Sequence, residues 1–338
     1  MWRIRSSIRR LPRAEAPPEV SARICLDKNE SPFDLPHGLK KELFEKLSKI
    51  PLNRYPPGYP TELEGKIAGY LNLSPENVIV ANGSDELIGL ILKVFEGDHI
   101  VISSPTFGMY DFFAALEGIK VIDVPLGEGF ELGDVERFAD GARAIFICSP
   151  NNPTGNTHPK KRIIEVLETG APVILDEAYA EFAKESNIDL VKDYDNLIIL
   201  RTFSKAFGLA GARLGYAVAS EETMDYLRRV LPPFSVNSLS LKAGEFMFEH
   251  LDYVGHVIRY IIEERERLYR EFKDYTYPSE ANFLLMKLDA HDFLLKRGIV
   301  VKKLGGRLKG HIRVTVGRKE ENDELISALR EFINLTAG

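Results

Sequence analysis

The chain has 338 residues, 28% of them charged and 44% hydrophobic, with a formal net charge of −6. That length exceeds what one core usually fills, and it implies two domains or one large domain with a smaller companion. The acidic balance supplies no broad cationic surface for phosphate backbones, which argues against a nucleic-acid partner, and no apolar run approaches the ~18 residues of a membrane span.

In chain order, the first element is an arginine-rich stretch, "MWRIRSSIRRLPR", without an acid until Glu15 and without the continuous apolar segment of a secretory signal. It is expected to lie on the protein as a cationic arm. From about residue 78, short β-branched runs alternate with longer amphipathic ones: "NVIVANG", "DHIVISSP", "KVIDVPL", "AIFICSP", "PVILDEAY", "NLIILRTF" and "GYAVAS". Several are apolar at consecutive positions, the pattern of strands covered on both faces, which predicts an α/β fold with a mostly parallel sheet. Between them "DELIGLILKVFEG" and "KKRIIEVLETG" space their apolar residues as helices and stop at glycine. Beyond Ser220 the texture changes. Val254, Val257, Ile258, Ile261, Ile262, Leu268 and Phe272 predict one long helix with "EERER" turned to solvent. "ANFLLMKL", "GIVVKKL" and "HIRVTVG" predict short strands of a second, α+β domain. Cys25 and Cys148, far apart in "RICLD" and "IFICSP", read as buried free thiols of a reducing compartment.

Several chemistries are disfavoured. "GEGFELG", residues 127–133, misses the G-x-G-x-x-G spacing by one residue and carries two glutamates where a pyrophosphate would sit. The seven histidines include no i,i+4 pair and no His-Cys cluster, so no protein-built metal site is expected.

Four stretches remain, each where a predicted strand runs out, which is where ligands of open α/β sheets collect. In "VIVANGSDELIG", Ser84 and Asp85 open a helix; they serve as plain caps, or their N–H groups and the helix dipole cradle a phosphate. In "CSPNNPTG" the asparagines are turn formers, or one of them donates to a cofactor oxygen. Asp176, ending the apolar run of "PVILDEAY", caps a helix or holds a cationic ring nitrogen protonated, with Tyr179 in reach of that ring's phenolic oxygen. Most lysines are solvated surface charges. In "RTFSKAFGLAGARLG", however, Lys205 ends a strand, where desolvation and the nearby Arg213 charge lower its pKa toward a nucleophilic amine, and Ser204 and Arg213 would flank a phosphate. A phosphate cradle, an acid for a pyridine nitrogen, Asn and Tyr for its O3′ and a lysine for its aldehyde together describe pyridoxal 5'-phosphate.

The motifs "NNPTG", "DEAY" and "SKAFGLAGARLGY" resemble those of the fold-type I, class I/II aminotransferases. "LDKNESPF", "NRYPP", "NGSDELI", "RTFSKAFGLAGARLGY" and "HIRVTVG" are similar, more narrowly, to histidinol-phosphate aminotransferases, in the expected order over nearly the whole chain. The resemblance implies a large cofactor domain at 46–245 with a mostly parallel seven-stranded sheet, a small α+β domain at 246–338, and an N-terminal arm, 1–45, packing with the small domain. It implies reversible ping-pong transfer of an amino group from glutamate to imidazole acetol phosphate, giving L-histidinol phosphate in histidine biosynthesis.

By the same resemblance Lys205 attaches the cofactor and then acts as the base, Asp176 pairs with the ring nitrogen, and Asn152 and Tyr179 bond O3′. Ser84, Asp85, Ser204 and Arg213 hold the phosphate, and Tyr110 stacks on the ring. Tyr55 would reach the neighbouring subunit's phosphate site, which implies a homodimer; the expected location is cytoplasmic. Arg313 would clamp the substrate α-carboxylate, a role that fits its strand, where Ile312, Val314 and Val316 take one face and leave Arg313 on the other. Asn29 and Lys302 also fall at substrate-binding positions.

Two departures concern the substrate phosphate. "RRLPRAEAPPEV" lacks the tyrosine that members often carry in the arm, and Lys302-Lys303 stands where members often have an arginine. A lysine binds phosphate as a point charge rather than bidentately; Lys303, Arg307 and the N-terminal arginines are the further cations available. Within the fold, the rival readings are an aromatic aminotransferase and a phosphothreonine decarboxylase, the latter disfavoured by "NESP". A non-catalytic ligand sensor is disfavoured by Lys205 and Asp176.

Overall fold

The computed structural model describes residues 3–13 and 22–336. The seven apolar runs form seven strands: β2 (Val78–Ala81), β3 (His99–Ile102), β4 (Lys120–Asp123), β5 (Ala142–Cys148), β6 (Val173–Asp176), β7 (Leu197–Thr202) and β8 (Gly215–Val218), following β1 (Ile24–Leu26). They make one sheet in the order β2-β8-β7-β6-β5-β3-β4. β8 alone runs against its neighbours; β4, β3, β5, β6 and β7 are mutually parallel. Consecutive apolar residues are needed because both faces are covered. Val78 and Val80 enter one core, Ile79 and Ala81 the other, and every residue of β7 is buried. At the edge, β4 has no fully buried residue.

A second sheet has the order β1-β10-β11-β9, with β9 at Phe283–Met286, β10 at Ile299–Lys303 and β11 at Ile312–Thr315. β9, β10 and β11 match the expected runs and pair antiparallel. β1 is an addition that no local pattern announces; it is three residues long and lies parallel to β10, Ile24 opposite Ile299. The seven strands of the large sheet all fall within 46–245, and three of the four strands of the small one fall beyond 246.

Three expectations need correction. The arm does not pack wholly with the small sheet. β1 joins it, but residues 3–13 lie on the Met109–Glu117 helix beside the large sheet, where Arg5 pairs with Glu117 at 3.2 Å and Ser7 Oγ donates to Leu116 O. Cys25 is exposed, because it sits on the outward face of edge strand β1; Cys148 is buried. The long helix exists, at Leu251–Glu271, but "EERER" is not all solvated. Arg265 is buried and donates to the carbonyls of Phe182 and Ala281 at 3.4 and 3.1 Å. Glu264 is buried against Asn322 and Arg267. A charge at a core-facing turn is tolerated when its hydrogen bonds are met inside.

The carboxyl ends of β2, β3, β5, β6 and β7 open toward the small sheet. There the two units are tied by Arg307, which donates to Ser104 O at 3.1 Å and Leu126 O at 2.9 Å.

Candidate active site

A cavity of about 580 Å³ lies at those carboxyl ends and is closed from the other side by residues 27–29 and by β10 and β11. One wall is the start of the Gly83–Val94 helix that follows β2. Its N-cap, Asn82, makes no side-chain cap; its amide is turned to Glu86 at 3.0 Å and to Ser235 O at 3.1 Å. The first-turn N–H groups, including those of Ser84 and Asp85, are therefore left for an anion, and the helix dipole favours one there. Gly83 adopts φ +81°, and a Cβ on Gly215 would collide with Ser84 N, so both glycines are required for β8 to approach this turn. Arg213 precedes β8 in the left-handed region at φ 52° and brings its guanidinium to the same place, 3.5 Å from Ser204 Oγ and 3.6 Å from Asp85 Oδ2. Burial raises the Asp85 pKa, with the Arg213 and Lys205 charges acting in the opposite direction.

Asp176 forms part of the cavity wall at the end of β6. Its Oδ1 accepts the Ala178 N–H at 3.0 Å and its Oδ2 accepts the Tyr110 hydroxyl at 2.7 Å. Burial pushes its pKa up to about 6, with the Tyr110 bond acting in the opposite direction. Among the described residues no cation pairs with it. Lys205 follows β7; its Nζ donates to Lys28 O at 3.0 Å and lies 5.8 Å from the centre of the Tyr179 ring. Desolvation, then the Arg313 charge, bring its amine down to about 8.

Tyr179 is buried, accepts a hydrogen bond from Asn29 Nδ2 at 3.0 Å, and is pushed up to about 12 by burial. Asn29 itself sits at φ 55°, held by Thr315 and Asn282. Arg313 reaches from β11 to donate to Asn152 Oδ1 at 2.6 Å and to Asp27 O; burial lowers its pKa.

The structure thus brings together Ser84, Asp85, Asn152, Asp176, Tyr179, Ser204, Lys205, Arg213, Asn29, Arg313 and Lys302 around one cavity. Tyr110 is a correction. It has no accessible surface, its ring stacks on Phe146 at 4.7 Å, and its hydroxyl is spent on Asp176, so it cannot lie on a ligand ring. Phe107, three residues earlier, faces the cavity instead. The sequence signal was present, since an aromatic directly follows the end of β3 in "SSPTFGMY". Tyr55 lies outside the cavity, 83% exposed and stacked on Phe234 at 5.2 Å. Of the other cations weighed for a substrate phosphate, Lys303 pairs with Asp292 at 3.1 Å and Arg307 is committed to its two carbonyls. Lys302 is exposed at the cavity wall.

This constellation has counterparts among known proteins. The sequence profile of aminotransferase class I and II matches residues 22–329. The chain belongs to the aminotransferase class I and II family. Among relatives of this family, the histidinol-phosphate aminotransferase of Pyrococcus furiosus is 57% identical over 318 residues, 93% of this chain and 94% of that one. That of Thermococcus gammatolerans is 53% identical over 93% of both chains. A crystal structure of histidinol-phosphate aminotransferase from Sinorhizobium meliloti in complex with pyridoxal-5'-phosphate superimposes with a TM-score of 0.89 at 25% identity, covering 99% of each chain.

Proposed function

We propose that the chain is a pyridoxal 5'-phosphate-dependent histidinol-phosphate aminotransferase, interconverting L-histidinol phosphate and 2-oxoglutarate with imidazole acetol phosphate and L-glutamate in histidine biosynthesis. The observation that carries this is the 57% identity to a relative of that name over nearly the full length of both chains. The cavity supports the cofactor on two physical grounds. Asp176 is a buried acid without a cationic partner among the described residues, and a protonated ring nitrogen is the partner that would bring its raised pKa down. The uncapped turn at Ser84 and Asp85, with Ser204 and Arg213, forms a donor set suited to a phosphate dianion.

Pyridoxal phosphate supplies, when bound, an aldehyde that takes up amino groups and a cationic ring that accepts the electron pair left at Cα. The chain's residues do the rest. Asp176 holds the proton on the ring nitrogen, and Tyr179 with Asn152 orients O3′. Lys205, lowered to about 8, keeps an appreciable neutral fraction near neutrality and is the base placed to remove the substrate's Cα proton at Nζ. Arg313 presents its guanidinium to the α-carboxylate, and Asn29 holds Tyr179 in place. Lys302 is the cation we assign to the substrate phosphate, and Phe107 the ring that lies on the cofactor.

Tyr55 is assigned to the phosphate site of the other subunit in a homodimer. Its exposure, stacked on Phe234, itself 42% exposed, supports a covered position in an assembly. A cytoplasmic location belongs to the same proposal; among the described residues no helix is long and apolar enough to cross a membrane.

The deciding assay uses purified protein, glutamate and a panel of acceptors: imidazole acetol phosphate, phenylpyruvate, and phosphothreonine for carbon dioxide release. Turnover of imidazole acetol phosphate is expected. Turnover of phenylpyruvate alone would overturn the substrate assignment and leave the cofactor assignment standing.

A further inference from the structure

Tyr110 is too deeply placed to touch a ligand, yet its hydroxyl reaches the back of the cavity wall. Its hydroxyl donates to Asp176 Oδ2 at 2.7 Å. The phenol is fixed from several sides. The ring stacks on Phe146 of β5 at 4.7 Å and 19°, and meets the Phe107 ring edge-on at 5.6 Å and 83°. Its backbone N–H is bonded to Phe107 O at 3.4 Å. A group clamped in this way sets the direction of the carboxylate it binds.

We infer that Tyr110 is a positioning residue, whose hydroxyl keeps Asp176 ionised and aimed at the ring nitrogen of the cofactor. The inference rests on the pyridoxal phosphate reading above. Its physical basis is a shortage of stabilising neighbours. The charges that act most on Asp176 are Asp85 and Glu177, both negative, with Cys148 and Tyr179 buried beside it; Lys205, Arg213 and Arg313 line the same cavity and none of them is hydrogen-bonded to it. Against burial, the ionised form is favoured within the protein by the Ala178 N–H and the Tyr110 hydroxyl. Without the hydroxyl, Asp176 keeps its own proton to higher pH, and a neutral acid cannot hold the proton on the ring nitrogen. Phe107 and Tyr110 lie one turn apart, so a single short segment presents a ring to the cavity and steadies the acid behind it.

The test is a binding measurement on apoprotein. Tyr110→Phe retains the ring and its packing. Affinity is compared by equilibrium dialysis for pyridoxal phosphate and for its 1-deaza analogue, in which carbon replaces the ring nitrogen. Tyr110→Phe is expected to weaken pyridoxal phosphate by about tenfold or more, the usual effect of losing a hydrogen bond to a charge, and to leave the analogue unchanged or tighter. In parallel, the ¹³C-carboxyl titration of Asp176 in the apoprotein is expected to move up by about one pH unit. Equal losses for both cofactors, or an unmoved titration, overturn the inference, because a role in packing alone predicts them. Should the Phe variant fail to fold, 2,3,5-trifluorotyrosine at position 110 supplies a stronger donor of nearly the same shape; the Asp176 midpoint should then fall, and a fixed midpoint overturns the inference. Failure of the wild-type protein to bind pyridoxal phosphate would instead remove the reading beneath it.

Discussion

Arg201 donates from Nη2 to Glu177 Oε2 at 2.7 Å with both side chains buried, so the residue after Asp176 is locked to the strand that leads to Lys205. The same guanidinium reaches Glu181 at 3.1 Å and Ser186 at 2.6 Å, and Glu177 also accepts the Asn187 N–H at 2.7 Å. The loop carrying Tyr179 is thereby pinned behind the sheet. Arg201→Met removes the cation and strands two acids, so a loss of about 3–5 kcal/mol in unfolding free energy is expected by urea denaturation, with reduced cofactor retention. A loss below about 1 kcal/mol would mean that the pair is no stronger than one on the surface.

Asp176 gives the apoprotein a pH signature. Its pKa in the folded chain is about 6, above the ordinary 3.8 of the unfolded chain. The folded state therefore binds the extra proton between those values. This contribution to stability is complete below about pH 4 and is lost as pH rises through 6. Asp176→Asn removes the titration. Relative to that variant, the wild-type apoprotein should lose about 2–3 kcal/mol between pH 4 and pH 6.5, measured by urea midpoints. A constant difference across that range contradicts the assignment.

Lys205→Ala should lower turnover by about 10⁴-fold or more, the scale of a lost general base, and should remove the visible absorption of the bound cofactor. Borohydride reduction of the wild-type enzyme followed by peptide mapping should place the label on Lys205. Capture of pyridoxal phosphate by the apoprotein should accelerate as pH rises toward 8, where the amine loses its proton. A label at another lysine would refute this role.

Arg313 and Lys302 should separate by substrate. Arg313→Gln removes a two-pronged carboxylate partner and should cost both half-reactions roughly 10²-fold in kcat/KM. Lys302→Ala should leave the glutamate half-reaction alone and raise KM for the phosphorylated acceptor about tenfold, less so at high salt. An equal effect of Lys302→Ala on both half-reactions would detach it from the phosphate.

What the sequence made legible was whatever depended on strand ends. Asp176 closes the apolar run of β6 and Lys205 lies just past the end of β7, and a polar residue at that point of a parallel sheet has one open edge to face. The ring-stacking role implied for Tyr110 by the resemblance falls to Phe107 because "PTFGMY" places two aromatics within one turn, and the motif alone does not show which of them faces the opening. β1 was missed for another reason: a three-residue strand has no pattern of its own and exists by virtue of a partner far along the chain. The burial of Arg265 and Glu264 is not legible locally because their satisfying groups, among them Ala281 and Asn322, belong to remote segments. Local composition reports propensity, whereas these positions are decided by tertiary neighbours.

The pairing of Ile24 with Ile299 also has a consequence in time. Residues 27–29 close the cavity, yet the strand just before them has nothing to align with until β10, far along the polypeptide, has left the ribosome. The large sheet can assemble early, from segments near one another in sequence, while this late closure joins two strands far apart along the chain. A nascent chain would hence carry the lysine and the acid but lack the lid, and tight retention of vitamin B6 should begin only after β10 has emerged.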